Sequence, residues 1–203
     1  MQIVKASTEI ISNTPDLQKV IELGGRTCYK SEDKITEDSA DAFIERIKNF
    51  KHESVLEHGS ITVKFIIDRG VSHELVRHRL ASFSQESTRY CNYSKNKFNN
   101  QISFIEPCFW SRGSYEYYLW QHSCELAEEA YFHLLDKGAT PQQARAVLPN
   151  SLKTELIVTA NPREWRHIFK VRCAPEAHPQ MREIMLPLSN EFKSRWYSLF
   201  GDI

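Results

Sequence analysis

Alternation is clearest between Gly59 and Asp68, where Ile61, Val63, Phe65 and Ile67 fall on one face and Thr62 and Lys64 on the other. A period of two marks a strand with one buried side, so this segment is a predicted strand closed by Arg69-Gly70. Looser alternation from Gln2 to Asn13, with Ile3, Ile10 and Ile11 among polar residues, predicts another, and the short apolar run Ile102 to Ile105, closed by Glu106-Pro107, a third. Helical spacing takes over elsewhere. Thr14-Pro15-Asp16 reads as a cap followed by proline, opening a helix with Leu17, Val20 and Ile21 inward and a stop at Gly24-Gly25. A second helix, starting near Thr36 or Ser39, sets Ala42, Phe43, Ile47 and Phe50 on one face. A third, from about Val71 to Leu80, buries Val71, Leu75 and Val76.

The longest periodic stretch runs from about Gly113 to Lys137 and is capped by Gly138. Its apolar contacts are assigned to Tyr117, Leu119, Trp120, Leu126, Ala127, Ala130, Tyr131 and Leu134, and its aromatics read as packing or a subunit interface. Thr140-Pro141 starts a short helix that carries Arg145 and ends at Leu148-Pro149. Ser151 to Thr159 has the apolar content of either a strand or a buried helix, and periodicity leaves both open. Asn161-Pro162-Arg163-Glu164 combines an N-cap, a proline at the first helical position and an acid in the first turn, which opens a helix reaching Arg172. Arg163, His167 and Arg172 can share one flank of it. A last helix follows His178-Pro179-Gln180 and reaches about Leu199, while Lys95 to Asn100 reads as a polar surface excursion.

At 203 residues the chain suits one domain with a sizeable core. Its 26 basic and 26 acidic residues cancel, so no global field favours nucleic acid or an anionic membrane, and any anion site must be local. No run approaches the roughly 18 apolar residues of a membrane span, and no signal-peptide core is present at the start. Five cysteines, at 28, 91, 108, 124 and 173, form an odd set without a Cys-x-x-Cys pair. They predict reduced thiols of a cytoplasmic protein, with no disulfide frame or zinc knuckle. His52 and His58 stand six apart, where a His-Glu-x-x-His zinc motif needs four, so no metal is assigned and the segment reads as a polar turn.

The unusual chemistry lies between Arg77 and Tyr90. Arg77, His78 and Arg79 stand in a row, and successive helical residues point about 100° apart, so all three serve one pocket only if the helix opens into a loop there. Ser82, Ser84, Gln85, Ser87 and Thr88 then supply short hydrogen-bonding groups, and Arg89 returns a cation. Guanidinium forks beside hydroxyls suit a phosphate or another oxyanion. Arg77-His78-Arg79, seven residues, then Ser87, continuing through Arg89-Tyr90, resembles the signature of the flavin-dependent thymidylate synthases. Arg145-Ala-Val-Leu-Pro149 is similar to a second element of that family, and the likeness extends from about His52 to Gln180.

The resemblance implies an α+β fold of mixed helices and a mainly antiparallel sheet, a single domain over 1–203 with helical extensions. It implies reductive methylation of dUMP to dTMP, with methylenetetrahydrofolate as carbon donor, NADPH as reductant, bound FAD between them and no cysteine nucleophile. Cofactor contacts carry over to Ser54, Arg77, His78, Arg79, Gln85, Asn161, Arg163 and His167. Substrate contacts carry over to Glu74, Arg77, Gln85, Glu86, Ser87, Thr88, Arg89, Arg145 and Arg172. Arg172 is the catalytic candidate, lying against the uracil. A homotetramer with sites shared between subunits is implied too. Two positions depart from the family pattern: Gln85 stands where many relatives have glutamate, and Glu74 where glutamine is frequent. No Gly-x-Gly-x-x-Gly occurs, which excludes a Rossmann-type flavin site. Two other readings compete: an RNA-binding module stacking bases on Tyr90 and Tyr93, and a metal-dependent hydrolase using His52, His58 and His73.

Overall fold

The computed structural model describes residues 1–95 and 98–203; positions 96 and 97 of the expected surface excursion lie outside the described residues. The first predicted strand is two, β1 (Gln2–Val4) and β2 (Ser7–Asn13). β3 (Ile61–Asp68) has the predicted alternation, with Ile61, Val63, Phe65 and Ile67 all buried. β4 (Ala81–Gln85), β5 (Ser103–Ile105) and β6 (Lys153–Ala160) complete the set, and β6 settles the ambiguous apolar segment as a strand. One sheet has the order β2-β3-β6-β4, and β1 pairs with β5 in a second. The predicted α+β class holds, and the parallel β1 and β5 pairing, in register Ile3 to Phe104, is an exception to its mainly antiparallel character.

The chain forms two compact units. One comprises Met1–Ser7, Phe65–Arg77 and Ser84–Leu156, and the other Thr8–Lys64, His78–Phe83 and Ile157–Ile203. The first is built on α3 (Arg69–Leu75), α4 (Tyr115–Asp136) and α5 (Pro141–Ala144). Its core gathers Tyr93, Ile102, Phe104, Cys124, Tyr131, Ala144 and Leu152. On α4 only Tyr117, Cys124 and Tyr131 are buried; the predicted contacts Leu119 and Leu126 are exposed, because a helix this polar inserts one narrow stripe. α3 begins earlier than expected, since the Asp68 carboxylate accepts the Val71 N–H at 2.8 Å, and it ends before the arginines. Val76 is accordingly exposed, and Arg77 to Leu80 form a turn.

The second unit packs α1 (Leu17–Thr27), α2 (Ser39–Asn49), α6 (Pro162–Arg172), α7 (Pro179–Arg195) and α8 (Tyr197–Phe200). The predicted last helix is therefore two, broken at Trp196. Ala40, Phe43, Ile44 and Ile47 form the buried face of α2, whereas Ala42 and Phe50 are exposed. Trp165 is fully buried, with its ring centroid 5.2 Å from that of Phe192, and its indole N–H donates to the Ile61 carbonyl at 3.0 Å. Arg166 clasps the Asp202 carboxylate at 2.6 Å, and these hydrogen bonds hold that carboxyl well below its usual range.

The glycines expected to end α1 do not end it. A Cβ on Gly25 would overlap the Phe43 ring, and one on Gly24 would come within 2.7 Å of His58 Cδ2. Their smoothness lets α2 and the His58 segment approach α1, and that packing outweighs glycine's poor helix propensity. Gly25→Ala therefore lowers unfolding stability by about 1–3 kcal/mol, as over-packing does elsewhere. Urea denaturation measures it, and an unchanged midpoint would show that the Phe43 ring yields freely.

Candidate functional site

Within the first unit, the chain from Gln85 to Arg89 is fastened from several sides. The Gln85 amide donates to Ser72 Oγ at 2.9 Å and to Thr154 Oγ1 at 3.2 Å. These are hydroxyl partners that a neutral amide satisfies without a counter-ion, so glutamine is at ease where many relatives are expected to carry an acid. Glu86 accepts from Lys153 Nζ at 3.2 Å and from the Tyr93 hydroxyl at 3.3 Å. Burial, with the Glu86 charge beside it, pushes the Tyr93 phenol far above its ordinary pKa, so it stays a donor. Thr88 is buried, and its hydroxyl accepts from Arg145 Nη1 at 3.1 Å. The two motif elements, 57 residues apart, are thus joined. Ser87 Oγ accepts the Arg89 N–H, while the Arg89 guanidinium lies 5.5 Å from the Tyr90 ring centroid. Arg77 is exposed beyond the end of α3, with its N–H on the Glu74 carbonyl.

Within the second unit, α6 presents most of the remaining candidates. Asn161 caps it, accepting the Glu164 N–H at 2.8 Å, a structural duty that the cap pattern foretold. His78, from the turn ahead of β4, is buried; its Nδ1 lies 3.4 Å from Glu164 Oε1, and its Nε2 accepts from Arg172 Nε at 3.0 Å. The His167 ring meets it edge-on at 5.5 Å. Desolvation first, then the Arg172 and His167 charges, lower the His78 pKa to about 4, so its imidazole is neutral at neutral pH. Burial also raises Glu164. His78 and Arg79, adjacent in sequence, part company: Arg79 is exposed.

Arg163 and Ser54 line a different feature, a cavity of about 870 Å³ whose wall includes Arg26, Tyr29, Arg46 and Lys51. Arg163 is tied there to Glu57 at 2.6 Å and to Glu53 at 3.6 Å, so it does not share a working flank with Arg172 as helical spacing suggested. Sequence reasoning missed Glu164 as a site residue, seeing only a first-turn acid. Its i, i+3 spacing to His167 on the same helix was the available signal. It also missed Lys153. The competing readings lose ground: Tyr93 is buried against Tyr131, so it is no platform for an RNA base. Among the described residues, the group with metal-ligand spacing is His78, Glu164 and His167, not His52, His58 and His73.

The family model described as thymidylate synthase complementing protein matches residues 9–196. A flavin-dependent thymidylate synthase of Geobacter sulfurreducens is 33% identical over 200 residues, covering 95% of this chain and 84% of that protein. One from Pyrococcus abyssi is 33% identical over 169 residues, covering 82% and 68%. The UMP/dUMP methylase PolB of Streptomyces cacaoi, solved with 5-Br dUMP, shares the fold with a TM-score of 0.79, at 23% identity over 99% of this chain and 96% of its own. A fastened Gln85–Arg89 segment, an arginine from a second motif bonded to it, and a family match running nearly end to end place this chain in the family of flavin-dependent thymidylate synthases.

Proposed function

We propose that the protein converts dUMP to dTMP, taking the carbon from methylenetetrahydrofolate and electrons from NADPH through bound FAD, without a cysteine nucleophile. The observation that carries this reading is the fixed cation at the end of α6: Arg172 is held through Nε by a neutral, buried imidazole. Beside a pyrimidine imide, such a charge favours the ionised ring and so activates its carbon. Cys173, its neighbour, is a poor substitute, because burial raises its thiol, and burial pushes the Cys124 thiol up to about 12. A thiolate is the nucleophilic form, and neither supplies one readily.

The nucleotide phosphate is assigned to Ser87, Thr88, Arg89 and Arg145, whose hydroxyls and forked donors suit an oxyanion; Glu74, Gln85 and Glu86 belong to the same substrate side. The cavity lined by Ser54 and Arg163 is within the roughly 300–1,000 Å³ of small-molecule sites and has cations for a pyrophosphate, so it fits the flavin. Arg77, His78, Arg79, Asn161 and His167 are the other residues assigned to it. When bound, the flavin supplies the reducing chemistry. The exposed Tyr118, Leu119 and Leu126 of α4 offer an apolar face for the proposed homotetramer. No helix among the described residues is long and apolar enough to cross a membrane.

Purified protein is expected to carry yellow flavin and to release tritium from 5-tritiated dUMP only when NADPH and methylenetetrahydrofolate are supplied. Colourless protein that neither takes up added FAD nor releases tritium would overturn the reading. Salt-dependent RNA binding in that same preparation would favour the binding module.

A further inference from the structure

Three members of one cluster come from a single helix: Glu164 in the first turn of α6, His167 one turn on, and Arg172 at its end. The fourth, His78, is delivered by the turn before β4 and is only 6% exposed. Its contacts fix its protonation pattern. A guanidinium only donates, so the imidazole Nε2 facing Arg172 Nε at 3.0 Å must offer a lone pair. The single proton of the neutral ring then sits on Nδ1, the nitrogen 3.4 Å from Glu164 Oε1. Were the tautomer reversed, two N–H groups would point at each other and the carboxylate would face a lone pair.

We propose that Glu164 and His78 are positioning residues for the Arg172 guanidinium: the carboxylate selects the imidazole tautomer, and that tautomer's lone pair anchors Arg172 at Nε. This deepens the reading given above and rests on Arg172 acting on the pyrimidine. Orientation is what such an anchor contributes. A flexible arginine could reach the same place, but it would have to give up several rotamers each turnover, and a small misplacement of a reacting partner is costly in rate. His78, Glu164 and His167 also offer ligand atoms within 4.8 Å of one another, the spacing of a metal site. A metal ion on Nε2 would displace Arg172, and one on Nδ1 would leave the ring proton on Nε2, facing the Arg172 N–H.

Two substitutions at His78 separate positioning from simple packing. Glutamine can set its amide oxygen about where Nε2 stood, keeping an acceptor for Arg172. Asparagine reaches only to the Nδ1 position and removes that acceptor. His78→Asn is expected to lower kcat for tritium release, counted per flavin-loaded protein, by about 100-fold, the scale of a misplaced reacting group, with KM for dUMP little changed. His78→Gln recovers most of that loss, and Glu164→Ala falls between the two. Equal impairment of the Asn and Gln variants, or a loss that follows flavin content or melting temperature, overturns the proposal. Should His78→Asn fail to fold, Glu164→Ala decides it: full activity there overturns the anchor. Wild-type protein that releases no tritium overturns the functional reading instead, and an active Arg172→Ala overturns the role of Arg172.

Discussion

Replacing Arg172 with alanine lowers dUMP-dependent NADPH oxidation by about 1,000-fold, the scale of losing one preorganised donor at a centre of developing charge. The flavin stays bound, because the proposed flavin cavity is lined by Arg26, Arg46, Lys51 and Arg163 and does not include Arg172. The magnitude follows from the setting. Arg172 is partly buried and bonded through Nε to a neutral ring, so its charge is aimed rather than free to wander in water. Flavin absorbance and turnover on one preparation check the expectation together. Near-normal turnover would overturn the proposed activation of the pyrimidine by Arg172.

Trp165→Ala destabilises the protein by about 3–5 kcal/mol, the range for emptying a fully buried aromatic site. Its ring packs with Phe169 at 5.7 Å and Phe192 at 5.2 Å, and those two rings meet each other at 5.0 Å, so the void would be walled by rigid groups that collapse poorly. The substitution also takes the donor from the Ile61 carbonyl. Chemical denaturation gives the loss directly, and a change below about 1 kcal/mol would show that the cluster repacks.

The elements read correctly from sequence are those whose signal is local. β3 keeps its period of two because one face is buried and the other half-buried, and α6 is announced by Asn161 and Pro162 before its first turn. What failed depends on partners distant in the chain. Gly24 and Gly25 look like a stop until Phe43 and His58 supply the reason for a bare backbone. Ser82 and Ser84 look like loop, yet they are the exposed side of β4, where small polar residues hide the alternation. The same holds at the site. The motif marks Thr88 and Arg145, and the structure bonds them. Glu164 carries no motif, and its meaning appears only when His78 arrives from 86 positions earlier. Arg163 matches the family yet is occupied by Glu53 and Glu57, which spacing along one helix could not foresee.

α6 mixes anchors and working groups along one rod: Trp165, Ile168 and Phe169 face inward while Glu164, His167 and Arg172 meet His78. Rigidity of the helix that carries Arg172 is therefore inherited from oil, and the His78 anchor acts on a rod already held in place. Anyone wishing to retune where that guanidinium points would do better to resculpt the hydrocarbon behind it, at Phe169 and Phe192, than to redecorate the solvent side. Laboratory suppressors of a weakened His78 anchor should emerge in that apolar backing.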